Sequence, residues 1–352
     1  MLAAMALLDP DLLKRVDRVA SAVATAGARA TRPVRHRAKT SRPLVVRPGG
    51  MGDLIHACIA FESMGIDPVD VDWLIERRSA VWAQWRGLPA VYYDAGMLAA
   101  TKALWGRHPV VVNTEQLFGL SMALAEIAVA RGGSLVSFET NRAARAADAR
   151  VPYDPYDMPE WQAFRDLFEA ALPAMPRSLP PITPGERRDG DSGRTVVALG
   201  GVHAQSRDLP AERWLQWIDG VTDGASDLDL VYGPGERQLA ERLMSLAGTR
   251  FVDRSGNFAS VVDTIRAAHR VLTIDGGMVH VAAYFGVPTD VIFTAGRDRK
   301  WAPLSAGSRV FARTDLPCRP CTVWGQVPPC PRAYECTKLD ERTTVRTVAG
   351  RV

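Results

Sequence analysis

Short apolar runs alternate with segments of helical spacing along most of this chain. The first such unit has an apolar run at 43–47, a glycine-containing loop at 48–52 and a helical segment at 53–61. The same order returns at 195–199 and at 271–285, where an apolar run leads into a glycine turn and then a helix. Strands that alternate with helices predict parallel, doubly wound α/β sheets.

A proline-rich segment divides this pattern into two parts. Prolines cluster between 173 and 184, a polar run follows to 193, and a new strand is then predicted. This composition is typical of an interdomain linker. The predicted organisation therefore has four parts: an N-terminal helix with a basic linker at 1–42, a first α/β domain at 43–185, a second at 186–340 and a tail at 341–352.

The composition is that of a soluble globular protein. Of the 352 residues, 47% are hydrophobic and 23% are charged, which are ordinary proportions for folded domains. No apolar run approaches the ~20 residues that span a bilayer. Because residues 1–8 lack a basic leader and run into Asp9-Pro10-Asp11, we do not interpret them as a signal peptide, and we expect a cytoplasmic protein.

Positive charge is concentrated near the N-terminus. The net charge is +4, but residues 1–42 carry nine Lys or Arg and three Asp, so they contribute +6 and the remaining chain −2. Because the chain after residue 42 is not basic, we do not expect this part of the protein to bind nucleic acid. The basic run from Arg29 to Arg42 follows a predicted helix at 9–27. It can be a solvated linker, a tether that places the protein at the periphery of the inner membrane, or part of a partner-binding segment.

The stretch after the predicted strand 271–274 combines features of an anion-binding site. The turn Asp275-Gly276-Gly277 breaks the strand, and a helix follows. The start of a helix offers free N–H groups and the positive end of its dipole, and glycines allow a ligand to approach the backbone. His280 and Asp275 add polar groups. The alternative is an ordinary strand–helix turn in which Asp275 caps the helix.

A second glycine loop precedes Asp53. Glycines at 49, 50 and 52 separate the first predicted strand from a helix that begins at Asp53. Their spacing differs from the G-x-G-x-x-G fingerprint of dinucleotide-binding proteins. At this position Asp53 can cap the helix or act as a general base that faces a cleft.

Polar loops recur at the predicted strand ends. They lie at 49–53, 113–116, 200–207, 233–236 and 275–280. In open α/β sheets, ligands bind beyond the carboxyl ends of the strands. We therefore expect these loops to line a ligand cleft between two domains, and we expect domain closure to exclude water from it.

Three of these stretches carry a resemblance to a known family. They are Arg47-Pro48-Gly49-Gly50-Met51-Gly52-Asp53, Arg207-Asp208-Leu209-Pro210 and Asp275-Gly276-Gly277-Met278-Val279-His280. Over about 43–340 the chain resembles glycosyltransferase family 9, the lipopolysaccharide heptosyltransferase family. The resemblance implies the GT-B fold, in which two Rossmann-like doubly wound domains face a cleft. The domain at 43–185 would then bind the acceptor and that at 186–340 the sugar-nucleotide donor.

The resemblance also implies inverting transfer of a sugar, typically heptose, from an ADP-activated donor without a catalytic metal. Asp53 matches the family's proposed base, which takes the proton of the acceptor hydroxyl as that oxygen attacks the anomeric carbon. Arg207 stands where the family usually has a lysine that binds the diphosphate, and either side chain supplies a cation. Sugar transfer needs such a base and preorganised positive charge for the departing diphosphate. The predicted catalytic residues are therefore Asp53 and Arg207.

Further residues are predicted, by the same resemblance, to bind the donor. Asp275 matches the residue that hydrogen-bonds the donor sugar, and residues 276–278 offer backbone N–H groups to the diphosphate. Glu236 is expected near the ribose and 256–257 near the adenine, while His280 is either a donor-site group or a packed helix residue. The full predicted donor-binding set is Gly52, Val202, His203, Glu236, Gly256, Asn257, Asp275, Gly276, Gly277, Met278 and His280.

No motif identifies the acceptor. The loop 113–116 is Asn-Thr-Glu-Gln, whereas lipopolysaccharide enzymes commonly have Asp-x-Gln, and Gly276 stands where many members have Thr or Ser. We expect a hydroxyl of the lipopolysaccharide core, another glycan, a lipid-linked glycan, a small molecule or a protein as the acceptor. Two other classes remain open: a sugar-nucleotide epimerase or hydrolase with the GT-B fold, and a non-catalytic sugar-nucleotide-binding subunit.

Four of the five cysteines cluster near the C-terminal end, at Cys318, Cys321, Cys330 and Cys336. Four thiolates at this spacing can bind zinc or iron tetrahedrally. Similar cysteine-rich tails occur in the resembled family, some of them as an iron-binding finger. We therefore expect a structural Zn or Fe site here, or else reduced cysteines that pack the tail or a local disulfide. Cys58, in an apolar helix, is expected in the core.

Overall fold

The computed structural model describes residues 10–201, 205–224, 227–321 and 329–349, without the side chains of 10–16 and 18. The chain divides into two compact units. Unit one contains the described residues up to Asp154 together with Trp161–Pro181, and unit two contains Pro155–Glu160 together with the described residues from Ile182 onward.

The described part of unit one is built on a six-stranded sheet with the strand order β3-β2-β1-β4-β5-β6. Its neighbouring strands are parallel, as the sequence predicts. The strands are β1 (Leu44–Arg47), β2 (Asp72–Ile75), β3 (Ala90–Tyr92), β4 (His108–Asn113), β5 (Val129–Phe138) and β6 (Ala149–Val151). The helices are α1 (Pro10–Ala30), α2 (Met51–Ser63), α3 (Ala80–Arg86), α4 (Met97–Leu104), α5 (Leu120–Ala128) and α6 (Glu160–Ala171).

The described part of unit two is built on a seven-stranded sheet with the order β13-β12-β11-β10-β7-β8-β9. Its strands pair in parallel except for β13, which is antiparallel to β12. The strands are β7 (Thr195–Ala198), β8 (Leu228–Val231), β9 (Phe251–Asp253), β10 (Arg270–Ile274), β11 (Thr289–Phe293), β12 (Arg309–Ala312) and β13 (Thr344–Thr347). The helices are α7 (Ala211–Thr222), α8 (Arg237–Ala247), α9 (Phe258–Ala267), α10 (Gly277–Tyr284) and α11 (Asp298–Trp301).

The central strands carry the cores of both units. Every residue of β1 and of β11 is buried, and the apolar run that predicts such a strand is what a parallel sheet covered on both faces requires. The helix α2 is buried from Leu54 to Ser63. Most faces of this helix are therefore buried in unit one. Cys58 is among the buried residues, as predicted.

The N-terminal helix α1 is longer than predicted and buries polar residues. It continues past Gly27 to Ala30. Val19 and Val23 are apolar residues of this helix, yet their side chains are 66% and 70% exposed, while Ser21 and Thr25 are buried. Polar contacts explain which face of α1 is buried. Asp17 accepts the N–H groups of residues 119 and 120 at 2.9 and 3.1 Å, and so caps the start of α5.

The basic run after α1 is bound to unit one. Arg32 and the fully buried side chain of Arg35 pair with the buried Glu126 on α5. Arg29 pairs with Asp148 at 2.9 Å, and Arg42 pairs with Asp72 at 2.8 Å. Much of the positive charge at 29–42 is thus used inside the fold. No helix in the described ranges is both long and apolar enough to cross a membrane.

Candidate functional site

A buried arginine and a carboxylate meet at the carboxyl end of β1. Arg47 is the last residue of the strand, and its side chain is only 4% exposed. Its Nη2 lies 3.2 Å from Oδ1 of Asp53, whose Oδ2 accepts the N–H of Gly50 at 3.0 Å. Gly49 has φ +135°, and a Cβ there would lie 2.6 Å from Arg47 Nη2. A glycine at 49 is therefore needed for the arginine and the aspartate to meet.

Asp53 combines both roles that the sequence leaves open for it. It is the third residue of α2, and its carboxylate accepts the N–H of the N-cap residue Gly50, as the acidic residue of a capping box does. The side chain is still 22% exposed. Because a carboxylate has about four lone-pair sites, the cap and the ion pair leave acceptor capacity for a ligand hydroxyl. The role of base stays a prediction.

The loop after β4 brings a second carboxylate to the same place. Arg47 Nη1 donates to the carbonyl of Thr114 at 2.9 Å, and the N–H of Thr114 donates to the carbonyl of Val46 at 3.0 Å. The next residue is Glu115, whose Oε1 accepts the N–H groups of residues 117 and 118, both at 3.1 Å. Glu115 is thus held by the backbone next to the arginine that pairs with Asp53.

Burial raises the pKa of the Glu115 carboxyl. The positive charge of Arg47 and the two N–H donors oppose this effect, and the negative charge of Asp53 adds to it. The charge of one buried guanidinium thus acts on two carboxylates, of which Asp53 is its ion-pair partner. In the sequence, Glu115 is one residue of the polar loop 113–116, which is considered there only as an acceptor loop. Its only signal is that it is an acidic residue at a predicted strand end.

In unit two, Asp275 lies at the carboxyl end of β10, as the sequence predicts. Its N–H donates to the carbonyl of Ile292 at 2.9 Å, and α10 begins two residues later, at Gly277. Gly276 has an extended backbone, with φ −177°. The first turn of a helix leaves N–H groups without intrahelical partners. Residues 277–279 therefore present such groups beside Asp275.

The structure brings Arg207 to this turn. Its Nη1 donates to the main-chain carbonyl of Asp275 at 2.8 Å. Gly296 also lies against Asp275, because a Cβ at residue 296 would be 2.3 Å from Asp275 Oδ2. The loop 294–296 therefore packs against the carboxylate. Burial raises the pKa of Asp275, while the positive charges of Arg207 and then Arg319 oppose the rise.

Other predicted donor residues lie at neighbouring strand ends of the same sheet, and some have structural partners. Asn257 caps α9, because its Oδ1 accepts the N–H of Ser260 at 3.0 Å. His280 is buried and makes an edge contact with the ring of Trp301 at 5.7 Å. Glu236 is buried at the end of a 3-10 turn after β8. Gly256 precedes the Asn257 cap, and Val202 and His203 lie outside the described residues.

The four clustered cysteines form no disulfide bond in the structure. Burial raises the pKa of Cys336 to about 11 and also raises that of Cys321, and the neighbouring thiols contribute to both shifts. Within the described ranges, which omit 322–328, no three His, Cys, Asp or Glu side chains are arranged to hold a metal ion. The structural Zn or Fe site and its alternatives, reduced cysteines that pack the tail or a local disulfide, stay predictions.

The chain was compared with known proteins. Residues 206–329 match the family model described as glycosyltransferase family 9 (heptosyltransferase). No curated protein sequence matches the chain.

Several solved structures share the fold. E. coli heptosyltransferase WaaC with ADP-2-deoxy-2-fluoro heptose is 18% identical, with a TM-score of 0.56 over 75% of this chain and 96% of that one. A family 9 glycosyl transferase from Veillonella parvula is 13% identical, with a TM-score of 0.60 over 78% and 87%. E. coli ADP-heptose lps heptosyltransferase II is 13% identical, with a TM-score of 0.56 over 77% and 90%. These likenesses and the two parallel sheets confirm the predicted GT-B fold.

Proposed function

Because the chain carries a glycosyltransferase family 9 domain at 206–329, we propose that it is an inverting enzyme that transfers heptose from ADP-heptose to a hydroxyl group. The acceptor hydroxyl belongs to a glycan, a lipopolysaccharide core or a protein.

The observation that carries the proposal is the arrangement around Asp275 in unit two. The start of α10 and the guanidinium of Arg207 meet at the main chain of Asp275, with the N–H donor and carbonyl acceptor at 2.8 Å. A helix start and an arginine together favour a diphosphate. The buried Asp275 carboxylate is suited to accept a hydrogen bond from a sugar hydroxyl.

The choice of donor is supported by the structural relatives. Two E. coli WaaC structures of this fold contain ADP or an ADP-heptose analogue. We extend that donor class to this chain, with Glu236 assigned to the ribose and Gly256 with Asn257 to the adenine. Because Oδ1 of Asn257 accepts a hydrogen bond in the helix cap, we assign its main chain and its amide nitrogen to the contact with the adenine ring.

The proposed chemistry is a single displacement. Asp53 takes the proton from the acceptor hydroxyl while that oxygen attacks the anomeric carbon of the donor. The bond from the anomeric carbon to the diphosphate oxygen breaks, and its electron pair leaves with ADP, so that the configuration inverts. Arg207 and the N–H groups at 276–278 stabilise the negative charge that develops on the leaving diphosphate.

Membrane contact and metal binding are not part of the proposal. The arginines at 29, 32, 35 and 42 pair with carboxylates of unit one, which leaves fewer free charges for an anionic surface than the sequence suggests. The cysteine cluster does not form a metal-ligand set among the described residues.

A panel of nucleotide sugars tests the proposal. The melting temperature of the protein is measured with ADP-heptose, other ADP-sugars, UDP-sugars and GDP-sugars, because a ligand that binds the folded state raises it. We expect stabilisation by ADP-heptose. ADP release is then measured with and without glycan, lipopolysaccharide-core and protein acceptors. Stabilisation by UDP-sugars alone contradicts the donor assignment, and turnover without any acceptor indicates a hydrolase or epimerase instead.

A further inference from the structure

The segment that carries the four clustered cysteines, residues 318–336, is called the cysteine-rich tail here. Its start is attached to the loop that follows β11. The Nε of Arg319 donates to the carbonyl of Thr294, and the N–H of Cys321 donates to the carbonyl of Ala295 at 3.0 Å. Thr294 and Ala295 come directly after the last residue of β11. Two hydrogen bonds, one on each side of residue 320, therefore fix this part of the tail at the carboxyl end of the sheet.

The same loop encloses Asp275. The next residue is Gly296, where a Cβ would lie 2.3 Å from Asp275 Oδ2. Asp275 is also bonded to β11 through its N–H and the carbonyl of Ile292. Arg319 is thus anchored two residues from the glycine that contacts the Asp275 carboxylate. Its charge lowers the pKa of that carboxyl against the effect of burial, second only to Arg207 in this respect.

Arg319 retains hydrogen-bonding capacity at this place. Its Nε is bonded to Thr294, but Nη1 and Nη2 make no hydrogen bond to any residue that the structure describes. Arg207 likewise has one nitrogen on the Asp275 carbonyl. Two guanidinium groups, each bonded to the main chain through one nitrogen, are therefore held where their charges act on one carboxylate next to a helix start.

The second half of the tail binds the loop that carries Arg207. The hydroxyl of Tyr334 donates to Oε1 of Gln205 at 2.6 Å, and in the helix that follows this loop Nη1 of Arg213 donates to Oγ1 of Thr337 at 3.2 Å. The tail therefore contacts both the loop after β11 and the loop that carries Arg207.

We propose that Arg319 is a donor-binding residue that, together with Arg207, binds the diphosphate of the sugar nucleotide. This inference rests on the proposed function, because it assumes a nucleoside diphosphate at the start of α10. Planar guanidinium groups bind phosphate oxygens through paired donors, and the two free nitrogens of Arg319 supply such a pair. The cysteine-bearing tail is then part of the donor site, since it supplies one of its cations.

Variants at residue 319 test this proposal. The affinity for ADP, UDP, GDP and adenosine is measured by calorimetry for the wild type, Arg319→Ala, Arg319→Gln and Arg319→Lys. Loss of a charge-assisted hydrogen bond predicts about 10-fold weaker binding of the preferred nucleoside diphosphate to the Ala and Gln variants. Lys, which keeps the charge, restores part of the affinity. Adenosine, which lacks phosphate, binds all four proteins alike.

Arg332→Ala is the matched control. Arg332 is on the same tail, is 46% exposed, and has a distant ion pair with Glu335 at 3.7 Å, so its loss leaves ADP affinity unchanged. Equal affinity for the diphosphate in the wild type and both neutral 319 variants overturns the inference, and so does an equal loss of adenosine and ADP binding. If the wild type prefers UDP, the assignment of an ADP-sugar donor is wrong, and the affinities of the wild type and the residue-319 variants for UDP then decide the role of Arg319. If none of the nucleotides binds, both the proposed donor and the role of Arg319 are wrong.

Discussion

Nη2 of Arg47 lies 3.2 Å from Oδ1 of Asp53, and the same guanidinium donates through Nη1 to the main chain next to Glu115. Arg47 thus orients the proposed base and neutralises part of the charge of two carboxylates. The guanidinium cannot lose its proton at ordinary pH, so this centre keeps one fixed positive charge beside the two carboxyl groups.

The first prediction concerns the proposed base. Asp53→Asn keeps an oxygen that can accept the N–H of Gly50, so the start of α2 is expected to stay intact. Loss of a general base reduces turnover by about 10²- to 10⁴-fold, while the affinity for the donor is unchanged. Steady-state kinetics with ADP-heptose, together with calorimetric donor binding, measures both quantities.

Asp70→Asn serves as the control for this variant. Asp70 is an acidic residue of unit one that lies in the 3-10 turn Pro68–Asp70, away from the loop that carries Asp53. It should leave turnover unchanged. Wild-type turnover in the Asp53→Asn enzyme would show that Asp53 is only a helix cap.

The second prediction uses Glu115 and the pH dependence of stability. Its folded-state pKa is raised by burial. The contribution of Glu115 to stability is therefore fully present below the pKa of this side chain in the unfolded state, about 4.3. It is lost as pH rises through the higher pKa of Glu115 in the folded state. Glu115→Gln keeps the acceptor oxygen but cannot ionise. The variant should therefore gain stability relative to the wild type as pH rises from 4 to 8.

Urea unfolding at several pH values gives the free energies of unfolding that decide this point. Glu169→Gln, at the exposed i,i+4 pair with Arg165, is the control and should show little change with pH. A difference between Glu115→Gln and the wild type that is constant from pH 4 to pH 8 contradicts the assigned burial of the charge.

The third prediction separates the sugar from the nucleotide at Asp275. Asp275→Asn removes a negative charge on which the charges of the two arginines act but leaves the main-chain carbonyl that Arg207 binds. The ratio kcat/KM for ADP-heptose should fall by about 10- to 100-fold, as expected for a lost charge-assisted hydrogen bond. Affinity for ADP, which has no sugar, should stay the same or increase, because a like charge near the diphosphate is removed.

The result that would refute this assignment is a parallel loss of ADP and ADP-heptose binding, since that would place Asp275 at the nucleotide. Asp263→Asn is the control. Asp263 is an exposed residue of α9 in unit two, paired with Arg266 at 3.3 Å, and its replacement should alter neither quantity.

The fourth prediction concerns the attachment of α1. Arg35 is fully buried and donates to the carbonyls of Ala28, Glu126 and Val129, the last at 2.8 Å. Arg35→Met leaves these carbonyls and the Glu126 carboxylate with one donor fewer. We expect a loss of about 3 kcal/mol in the free energy of unfolding and faster hydrogen exchange in α1.

Arg37→Met, two residues away and exposed, should cost little. If both variants are equally stable, the arginines at 29–42 contribute no net stability to unit one, and the segment behaves as the solvated linker that the sequence allows.

The α/β architecture follows from local sequence patterns. The apolar run before Asp53 and the one before Asp275 predict β1 and β10, and the helical segments predicted after them are observed as α2 and α10. These elements are readable because a buried parallel strand needs continuous apolar residues, and because a glycine turn must separate it from the next helix. The exposed Val23 in α1 shows the limit of such patterns, since there a polar contact decides which face is buried.

Individual candidate positions follow from sequence, but their partners do not. The motif around Asp275 marks the start of α10, and the glycine at 49 marks the loop of Asp53. The sequence does not indicate that Arg319, in a cysteine-rich tail, reaches the loop after β11. It also does not indicate that the charge of Arg47 acts on Glu115 as well as on Asp53. Such contacts join residues that lie far apart along the chain.

The sequence by itself determined the succession of strands and helices and the glycine turns, because these depend on hydrophobic period and local backbone conformation. Only the tertiary structure decided which charges meet. Arg47 and Thr114 are 67 positions apart, yet they are bonded because β1 and β4 are neighbours in the sheet. The order of strands in a sheet is set by the packing of the whole unit, and no local pattern encodes it.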